Sequence, residues 1–325
     1  MKSVRNSQGL ALMLVIWVLA IFMVLAISLS YATKTEMSAT IAFRDAAEER
    51  FLAEGAMERA FLELLLRRTA PVSLVEEERP WRTDGTEYRV DWEHGHAFVK
   101  ITSEAGKIDI NKAPELVLKN LMIAMGIQGE DVDIIVDSIQ DWRDADNLHR
   151  LRGAEDDYYL SLRVPYKAKN GDFTSIDELL LVRGVTPELL YGSGTRKGLA
   201  DLITVYSENG KINVSAAPRE ALMGLPGMTA EMADIVMQFR QAREIKTIQE
   251  FREIVGDLYT PMSPYITAGE GTVFTVESIG RKSEKKGGTG LKAVVSLTGT
   301  RPTFLYFRSP SDTGTWKKQE SQPPL

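Results

Sequence analysis

The chain has 325 residues, with 39 lysines and arginines against 45 aspartates and glutamates, for a formal net charge of −6 at pH 7. This length allows two domains beyond a membrane anchor. The modestly acidic balance argues against a protein that binds nucleic acid or anionic lipid. The chain contains no cysteine, so without disulfide bonds its stability depends on a hydrophobic core, on assembly or on metal ions.

The N-terminal stretch 10–29 contains twenty consecutive residues without a charge. As a helix it would be about 30 Å long, which matches the hydrocarbon core of a bilayer. Lys2 and Arg5 precede it, and these cations favour a cytoplasmic N-terminus with the bulk of the chain across the membrane. The run is longer than the apolar core of a signal peptide, and Ser28 to Ala39 offers no clean Ala-x-Ala cleavage site. The sequence therefore predicts a single membrane-spanning helix.

This helix is predicted to continue to about residue 70. Between Lys34 and Arg68 there is no proline and only one glycine, Gly55. Apolar residues recur there at helical spacing, at Phe43, Ala46, Ala53, Met57, Phe61 and Leu64. We expect one continuous helix of about 90 Å, its first half in lipid and its second half amphipathic.

The basic leader ending in glycine, the uncharged run and the amphipathic continuation together resemble type IV prepilin-like proteins. The resemblance implies that a prepilin peptidase cleaves between Gly9 and Leu10 and that Leu10 becomes N-methylated. The family motif has Phe after the cleavage site and Glu at the fifth mature position, where this chain has Leu10 and Leu14. An ordinary single-span anchor is the alternative interpretation.

The absence of the glutamate is informative within the family. That side chain is thought to neutralise the terminal amine of a neighbouring subunit, because an unpaired charge in lipid is costly. Among the pseudopilins of type II secretion systems, the K subunit usually lacks the glutamate and caps the filament tip. The resemblance therefore makes Leu14 a tip-specific position.

Alternating apolar and polar residues predict the strands of a sheet. Two such segments, 87–93 and 97–103, flank the turn residues His94-Gly95-His96 and predict a hairpin with one buried face. Both histidines are expected to be solvated loop residues rather than metal ligands, because acidic and cysteine partners are not nearby. Three later segments, starting at Thr272, Leu291 and Thr303, could return to the hairpin and close an antiparallel layer on the long helix. Whether residues 202–207 join that sheet is left open.

Residues 106–256 are predicted to be mostly helical, and they contain an internal repeat. The segment Gly106-Lys-Ile-Asp-Ile-Asn-Lys-Ala-Pro recurs as Gly210-Lys-Ile-Asn-Val-Ser-Ala-Ala-Pro. Each copy predicts a short extended piece and then a helix that starts near Ala-Pro, where proline is well tolerated. Asn111 and Ser215 are candidate N-caps of these helices.

Glycine turns at Gly126 and Gly227 suggest helix-hairpin-helix-like pairs. Such units can bind DNA phosphates through backbone N–H groups at a helix N-terminus. In this chain, however, Thr229 replaces the second glycine of the usual Gly-x-Gly turn, and Glu231 and Asp234 lie close by without a concentrated basic face. We therefore favour helix pairs used for packing or protein contact, and expect no nucleic-acid partner.

The densest set of potential ligands lies between Asp141 and Asp157. Six carboxylates and the amide of Asn147 fall within this stretch. Calcium takes about six to eight oxygen ligands in flexible geometry, so this density suits it. The spacing does not match an EF-hand, because the glycine at position six and the glutamate at position twelve are missing. From spacing alone, a calcium site and a solvated acidic loop are equally good explanations.

A second resemblance bears on this stretch. Asp-Trp-x-Asp-x-Asp from Asp141, the downstream Gly153-Ala-Glu-Asp-Asp-Tyr-Tyr, Pro165-Tyr, Ser175-Ile-Asp-Glu-Leu and Val182-Arg-Gly-Val resemble the helical insert of the type II secretion K family. The repeated Ala-Pro segment is a further mark of that family, and the match extends over most of residues 5–280. It implies calcium in the ectodomain, with the ligands Asp141, Asp144, Asp146, Glu155 and Asp156.

The resemblance implies an α+β fold, in which a pilin-like long N-terminal helix packs on an antiparallel sheet interrupted by a large helical insert of helix-hairpin-helix or SAM-like type. The expected organisation is a leader at 1–9, a transmembrane segment at 10–29, its amphipathic continuation at 30–70, the first part of the sheet at 71–105, the insert at 106–256, returning strands at 257–308 and a disordered tail at 309–325.

The implied function is that of a minor pseudopilin at the tip of the type II secretion pseudopilus, which helps initiate the filament and supports export of folded proteins. Its expected place is the inner membrane, with a cytoplasmic N-terminus and a periplasmic bulk. The implied partners are other minor pseudopilins, the major pseudopilin and the prepilin peptidase.

Catalysis is not expected, because no set of nucleophile, base and acid is visible around the histidines His94, His96 and His149. One alternative is a membrane-tethered DNA receptor or minor pilin of a competence or type IV pilus system. A weaker alternative is an anchored periplasmic hydrolase that uses the acidic cluster with a metal ion.

Overall fold

The computed structural model describes residues 5–69, 81–193, 196–207, 209–269, 271–283, 287–299 and 301–311. The start of the leader, the predicted loop that contains Pro71 and Pro80, and most of the predicted tail lie outside the described residues. In chain order the helices and strands are α1 (Arg5–Thr69), β1 (Asp84–Trp92), β2 (Gly95–Ser103), β3 (Ile108–Asp109), α2 (Glu115–Ala124), α3 (Glu130–Arg143), α4 (Asp156–Leu160), α5 (Pro187–Tyr191), β4 (Ile203–Thr204), β5 (Ile212–Asn213), α6 (Arg219–Met223), α7 (Ala230–Ala242), α8 (Ile248–Val255), α9 (Tyr259–Met262), β6 (Ile266–Thr267), β7 (Val273–Arg281), β8 (Thr289–Ser296) and β9 (Thr303–Ser311).

Helix α1 is one uninterrupted element of 65 residues, or about 97 Å at 1.5 Å per residue. This confirms the continuous helix and places its start within the leader, five residues before the apolar run. Every residue from Leu10 to Arg44 is exposed, and the helix is long and apolar enough to cross a membrane. Phe43 and Ala46, predicted to lie on the amphipathic stripe, are exposed, so the buried stripe is shorter than expected.

Five antiparallel strands form one sheet in the order β1-β2-β7-β8-β9, as the alternating patterns predict. One face packs on the second half of α1 through its buried residues Ala53, Ala56, Met57, Ala60, Phe61 and Leu64. The contact is closest at Gly280 in β7, where an added Cβ would lie 1.9 Å from the carbonyl oxygen of Glu49. Helix and sheet are therefore in backbone contact at this point.

The helical insert has its own large hydrophobic core, which includes the fully buried Leu118, Ile139, Tyr159 and Phe251. The two copies of the repeat supply β3 and β5, which pair in parallel with β4 and β6. Residues 203–204 thus belong to the insert rather than to the five-stranded sheet. Gly126 and Gly227 have φ of +84° and +81°, which is the left-handed conformation that the predicted helix-hairpin-helix turns require.

The sequence-based boundaries of the insert and of the tail were wrong. Residues beyond 257 continue the helical unit, since Met262 and Ile266 are buried in its core, and the returning strands begin only at Val273. Short turns of helix and two-residue strands carry no periodicity that a sequence can reveal. At the other end, the tail was predicted to start at 309, but β9 extends to Ser311.

Three predictions about single side chains were also wrong. Asn111 does not cap α2, which begins directly after Pro114; its amide accepts from the Phe173 N–H at 2.7 Å and donates to the Phe173 carbonyl at 3.0 Å. Ser215 does not cap α6 either. His96, predicted to be solvated, is 5% exposed within β2, where its ring contacts Phe98 edge to face.

A buried polar cluster, here called the Glu104 junction, joins the insert to the sheet. The carboxylate of Glu104 accepts from Lys107 Nζ and Thr275 Oγ1, both at 2.5 Å, and from Thr204 Oγ1 at 2.6 Å. Thr275 belongs to β7 and Thr204 to β4 of the insert. Burial by itself would raise the pKa of Glu104, but Lys107 and the two hydroxyl groups outweigh it and hold the pKa below its usual value.

Candidate metal centre

The acidic stretch connects two helices whose packing fixes its ends. Helix α3 ends at Arg143 and α4 begins at Asp156. Trp142, at the end of α3, packs edge to face on Tyr159 of α4, with ring centroids 5.1 Å apart. The loop between them is thereby held so that Asp144 and Asp146 approach Glu155.

Asp144, Asp146 and Glu155 form a three-carboxylate cluster. One oxygen from each lies within 4.8 Å of the others. Glu155 is 1% exposed, and among the described residues neither of its oxygens, nor Oδ1 of Asp144, has a hydrogen-bond partner. Burial, together with the charges of neighbouring aspartates, raises the pKa of Glu155 to about 7. Since unpartnered buried carboxylates are costly, the arrangement fits a hard cation that would supply the missing partner.

The other two predicted ligands lie outside this cluster. Asp141 is fully buried and accepts from the backbone N–H of Arg150 at 3.1 Å and from its guanidinium at 2.6 Å. Asp156 accepts from the N–H of Ala168 at 2.9 Å and pairs with Lys167 at 3.3 Å. The guanidinium of Arg150 also donates to Oδ2 of Asp144 at 2.6 Å. These contacts shape the loop, and the ligand roles of Asp141 and Asp156 stay predictions.

Asn170 is a candidate ligand that the sequence analysis missed. Its side-chain nitrogen donates to the carbonyl of Asp146 at 2.8 Å and to Oδ1 of Asn147 at 3.0 Å. Its amide oxygen is buried without a partner among the described residues. The residue has a φ of +50°, and the dipeptide Asn170-Gly171 is the available sequence signal, because Asn-Gly favours left-handed turn conformations.

Comparison with known proteins finds one family model and several relatives that match this chain. The family model described as Type II secretion system (T2SS), protein K matches residues 99–192, which include the α3–α4 loop. The Type II secretion system protein K of Dickeya chrysanthemi is 23% identical over 298 residues, covering 76% of this chain and 81% of the relative. Together these matches support the resemblance of this chain to the type II secretion protein K family.

Two further relatives match over shorter segments. The protein K of Pectobacterium carotovorum subsp. carotovorum is 30% identical over 132 residues, 39% of each chain. That of Pseudomonas aeruginosa is 26% identical over 168 residues, covering 47% of this chain and 48% of the relative. The chain thus spans less than half the length of these two relatives.

A solved structure supports the fold over most of the chain. A chain of the GspK-GspI-GspJ complex from the enterotoxigenic Escherichia coli type 2 secretion system has a TM-score of 0.61 and 16% sequence identity. The alignment covers 85% of this chain and 99% of that one. This confirms the predicted α+β class, with a long N-terminal helix, an antiparallel sheet and a helical insert.

Proposed function

We propose that the protein is a minor pseudopilin that caps the tip of a type II secretion pseudopilus and supports export of folded proteins. The observation that carries the proposal is α1, whose exposed first half continues without a break into a second half covered by the sheet. An exposed apolar half-helix suits first the membrane and then the filament core. We place the N-terminus in the cytoplasm and the sheet and insert in the periplasm, with processing between Gly9 and Leu10.

The position of the insert supports the capping role. It leaves the sheet after β2 and returns at β7, and these strands are neighbours. The insert therefore projects from the middle of the sheet, where it would oppose addition of a further subunit. Leu14 also supports the capping role, because without a carboxylate it offers no counter-charge to the terminal amine of another subunit.

The solved relative was crystallised as a GspK-GspI-GspJ complex, and we propose that this chain likewise assembles with two other minor pseudopilins and with the major pseudopilin. Calcium would be held by Asp144, Asp146 and Glu155, with the amide oxygen of Asn170 as a further donor. The ion would neutralise the buried carboxylate of Glu155 and the two aspartates beside it, and would fix the α3–α4 loop.

The assembly is tested by pull-down of the ectodomain, residues 33–325, against the other minor pseudopilins of the same organism, in calcium or in EGTA. We expect a stable complex that forms in calcium and weakens in EGTA. Absence of a complex in both buffers, together with DNA binding that falls with salt, would instead support the DNA-receptor alternative.

The calcium site makes a separate prediction. Asp144→Asn should abolish the rise in melting temperature that calcium gives the native ectodomain, which we expect to be about 5 °C at saturating ion. In EGTA the variant should melt close to the native temperature, because loss of the ion pair with Arg150 offsets the relief of repulsion from Glu155. Asp157→Asn, at an exposed neighbouring carboxylate, is the matched control and should keep the response. Equal melting losses in calcium and EGTA for Asp144→Asn would contradict the ligand role.

A further inference from the structure

A row of charged side chains crosses the sheet on the face opposite α1. The strand registers place Glu87 beside Lys100, Lys100 beside Glu277, Glu277 beside Lys292, and Lys292 beside Arg308. Lys100 Nζ lies 3.3 Å from Glu87 Oε2, and Lys292 Nζ lies 3.0 Å from Glu277 Oε1. The signs alternate across four strands, but the alternation fails at β9.

Arg308 is the terminal member of this row. It is exposed, and its cross-strand neighbour is another cation, Lys292, whose charge is already paired with Glu277. Within the described part of the chain, Arg308 forms no ion pair. Like charges directly opposite each other are destabilising, and a carboxylate on the outer side of Arg308 would both relieve this and continue the alternation.

The rest of β9 is unusual for an edge strand. Phe304, Leu305, Tyr306 and Phe307 are 52%, 44%, 37% and 48% exposed, and in the described residues no strand pairs with the outer side of β9. The opposite edge, β1, carries Glu87, Arg89 and Asp91 instead, and such charges discourage pairing. One edge of the sheet is therefore charged, whereas in the described part of the chain the other exposes four consecutive large apolar side chains beside Arg308 and has no paired strand.

We propose that the outer edge of β9 binds an extended segment of a partner protein by strand addition, with an acidic side chain of that segment beside Arg308. Residues adjacent to the acidic one would point to the α1 side of the sheet. There one of them would lie beside Phe307, whose ring packs against that of Phe304 with centroids 6.2 Å apart, and the other would lie beside Ser309. The segment would therefore carry an apolar residue next to the acidic one, with backbone hydrogen bonds supplying affinity and Arg308 selecting the register.

The chain's own residues 312–325 are the other available occupant. Their sequence contains two acidic residues, Asp312 and Glu320, and two lysines, Lys317 and Lys318. They therefore offer no net negative charge to Arg308. Charge therefore favours a partner segment, and a truncated chain separates the two cases.

The probe is a fluorescent peptide, Thr-Val-Thr-Val-Glu-Val-Thr-Val-Thr, compared with the same peptide carrying Lys at its centre. Binding to the full chain in detergent micelles is followed by fluorescence anisotropy. We expect the Glu peptide to bind about tenfold more tightly than the Lys peptide, with slower amide exchange in β9. Arg308→Gln should abolish this preference and Arg308→Glu should reverse it. Arg89→Glu, on the opposite edge strand, is the control and should leave it unchanged.

Three results would overturn the proposal. The first is failure of both peptides to bind. The second is equal affinity for the Glu and Lys peptides, or slower amide exchange in β1 rather than in β9. The third is binding that appears only after the chain is truncated at Ser311, which would make residues 312–325 the natural occupant. Because the inference rests on the sheet alone, loss of the tip assembly in the pull-down would leave the peptide result unaffected.

Discussion

Replacing Glu104 with glutamine should lower the free energy of unfolding of the ectodomain by about 3 kcal/mol at neutral pH. The change keeps the shape of the side chain but removes its charge, and Lys107, which is 7% exposed, then remains buried without its counter-ion. The hydroxyl groups of Thr204 and Thr275 also lose a charged acceptor. Urea unfolding monitored by circular dichroism measures the loss.

The Glu104 junction should also make the free energy of unfolding depend on pH. The pKa of Glu104 in the folded protein is lower than its unfolded value of about 4.5. The ionised carboxylate therefore stabilises the fold above that value, and this stabilisation is lost as the pH falls through the folded pKa. The stability gap between the native protein and Glu104→Gln should therefore be constant near neutrality and narrow below about pH 4.5. Glu93→Gln, at an exposed position in the β1–β2 turn, should unfold like the native protein at every pH. A Glu104→Gln variant of native stability at pH 7 would show that the junction contributes nothing.

Replacing Gly280 with valine should destabilise the ectodomain by about 4 kcal/mol or more. A Cβ at this position would lie 1.9 Å from the carbonyl oxygen of Glu49 and 2.7 Å from the backbone nitrogen of Ala53. Both are backbone atoms of α1, so no side-chain rotation can relieve the clash and the helix must move off the sheet. Amide exchange should then increase in the second half of α1 and in β7, while the core of the insert keeps its protection.

Gly287→Val is the matched control for this experiment. An added Cβ at Gly287 meets nothing within 4 Å, so the same change of residue type there should alter stability by less than about 0.5 kcal/mol. If the two valine variants unfolded alike, the close contact between α1 and β7 would not be a determinant of the fold.

Periodic patterns made most of the fold predictable. Local patterns predicted local structure that is present in the folded chain. The uncharged run and the absence of proline up to Arg68 predicted the long helix, and alternating residues predicted the strands. The predictions failed where distant residues decide the local structure. Asn111 lies three residues before Pro114, the N-cap of α2, and its amide binds Phe173, which lies 62 residues further along the chain.

The candidate metal centre was likewise predictable only in part. Composition was enough to locate the acidic loop, because six carboxylates fall within one short stretch. It could not show which three of the five predicted carboxylates approach one another, since that depends on how the folded loop places Asp144, Asp146 and Glu155. Asn170 was missed because it comes from a different segment and carries no charge.

The insertion of the helical unit between adjacent strands has a consequence for the order of folding. β2 and β7 pair with each other although about 170 residues separate them along the chain, and an unfolded loop of that length would add a large closure entropy to the pairing. A folded insert removes most of this cost because its two ends lie side by side, with Gly271 packed against Ser103 and Ala105. The first hairpin can form early, but the central pairing of the sheet has to wait for the insert. Whatever slows folding of the insert, such as an empty acidic loop, should therefore delay completion of the sheet as well.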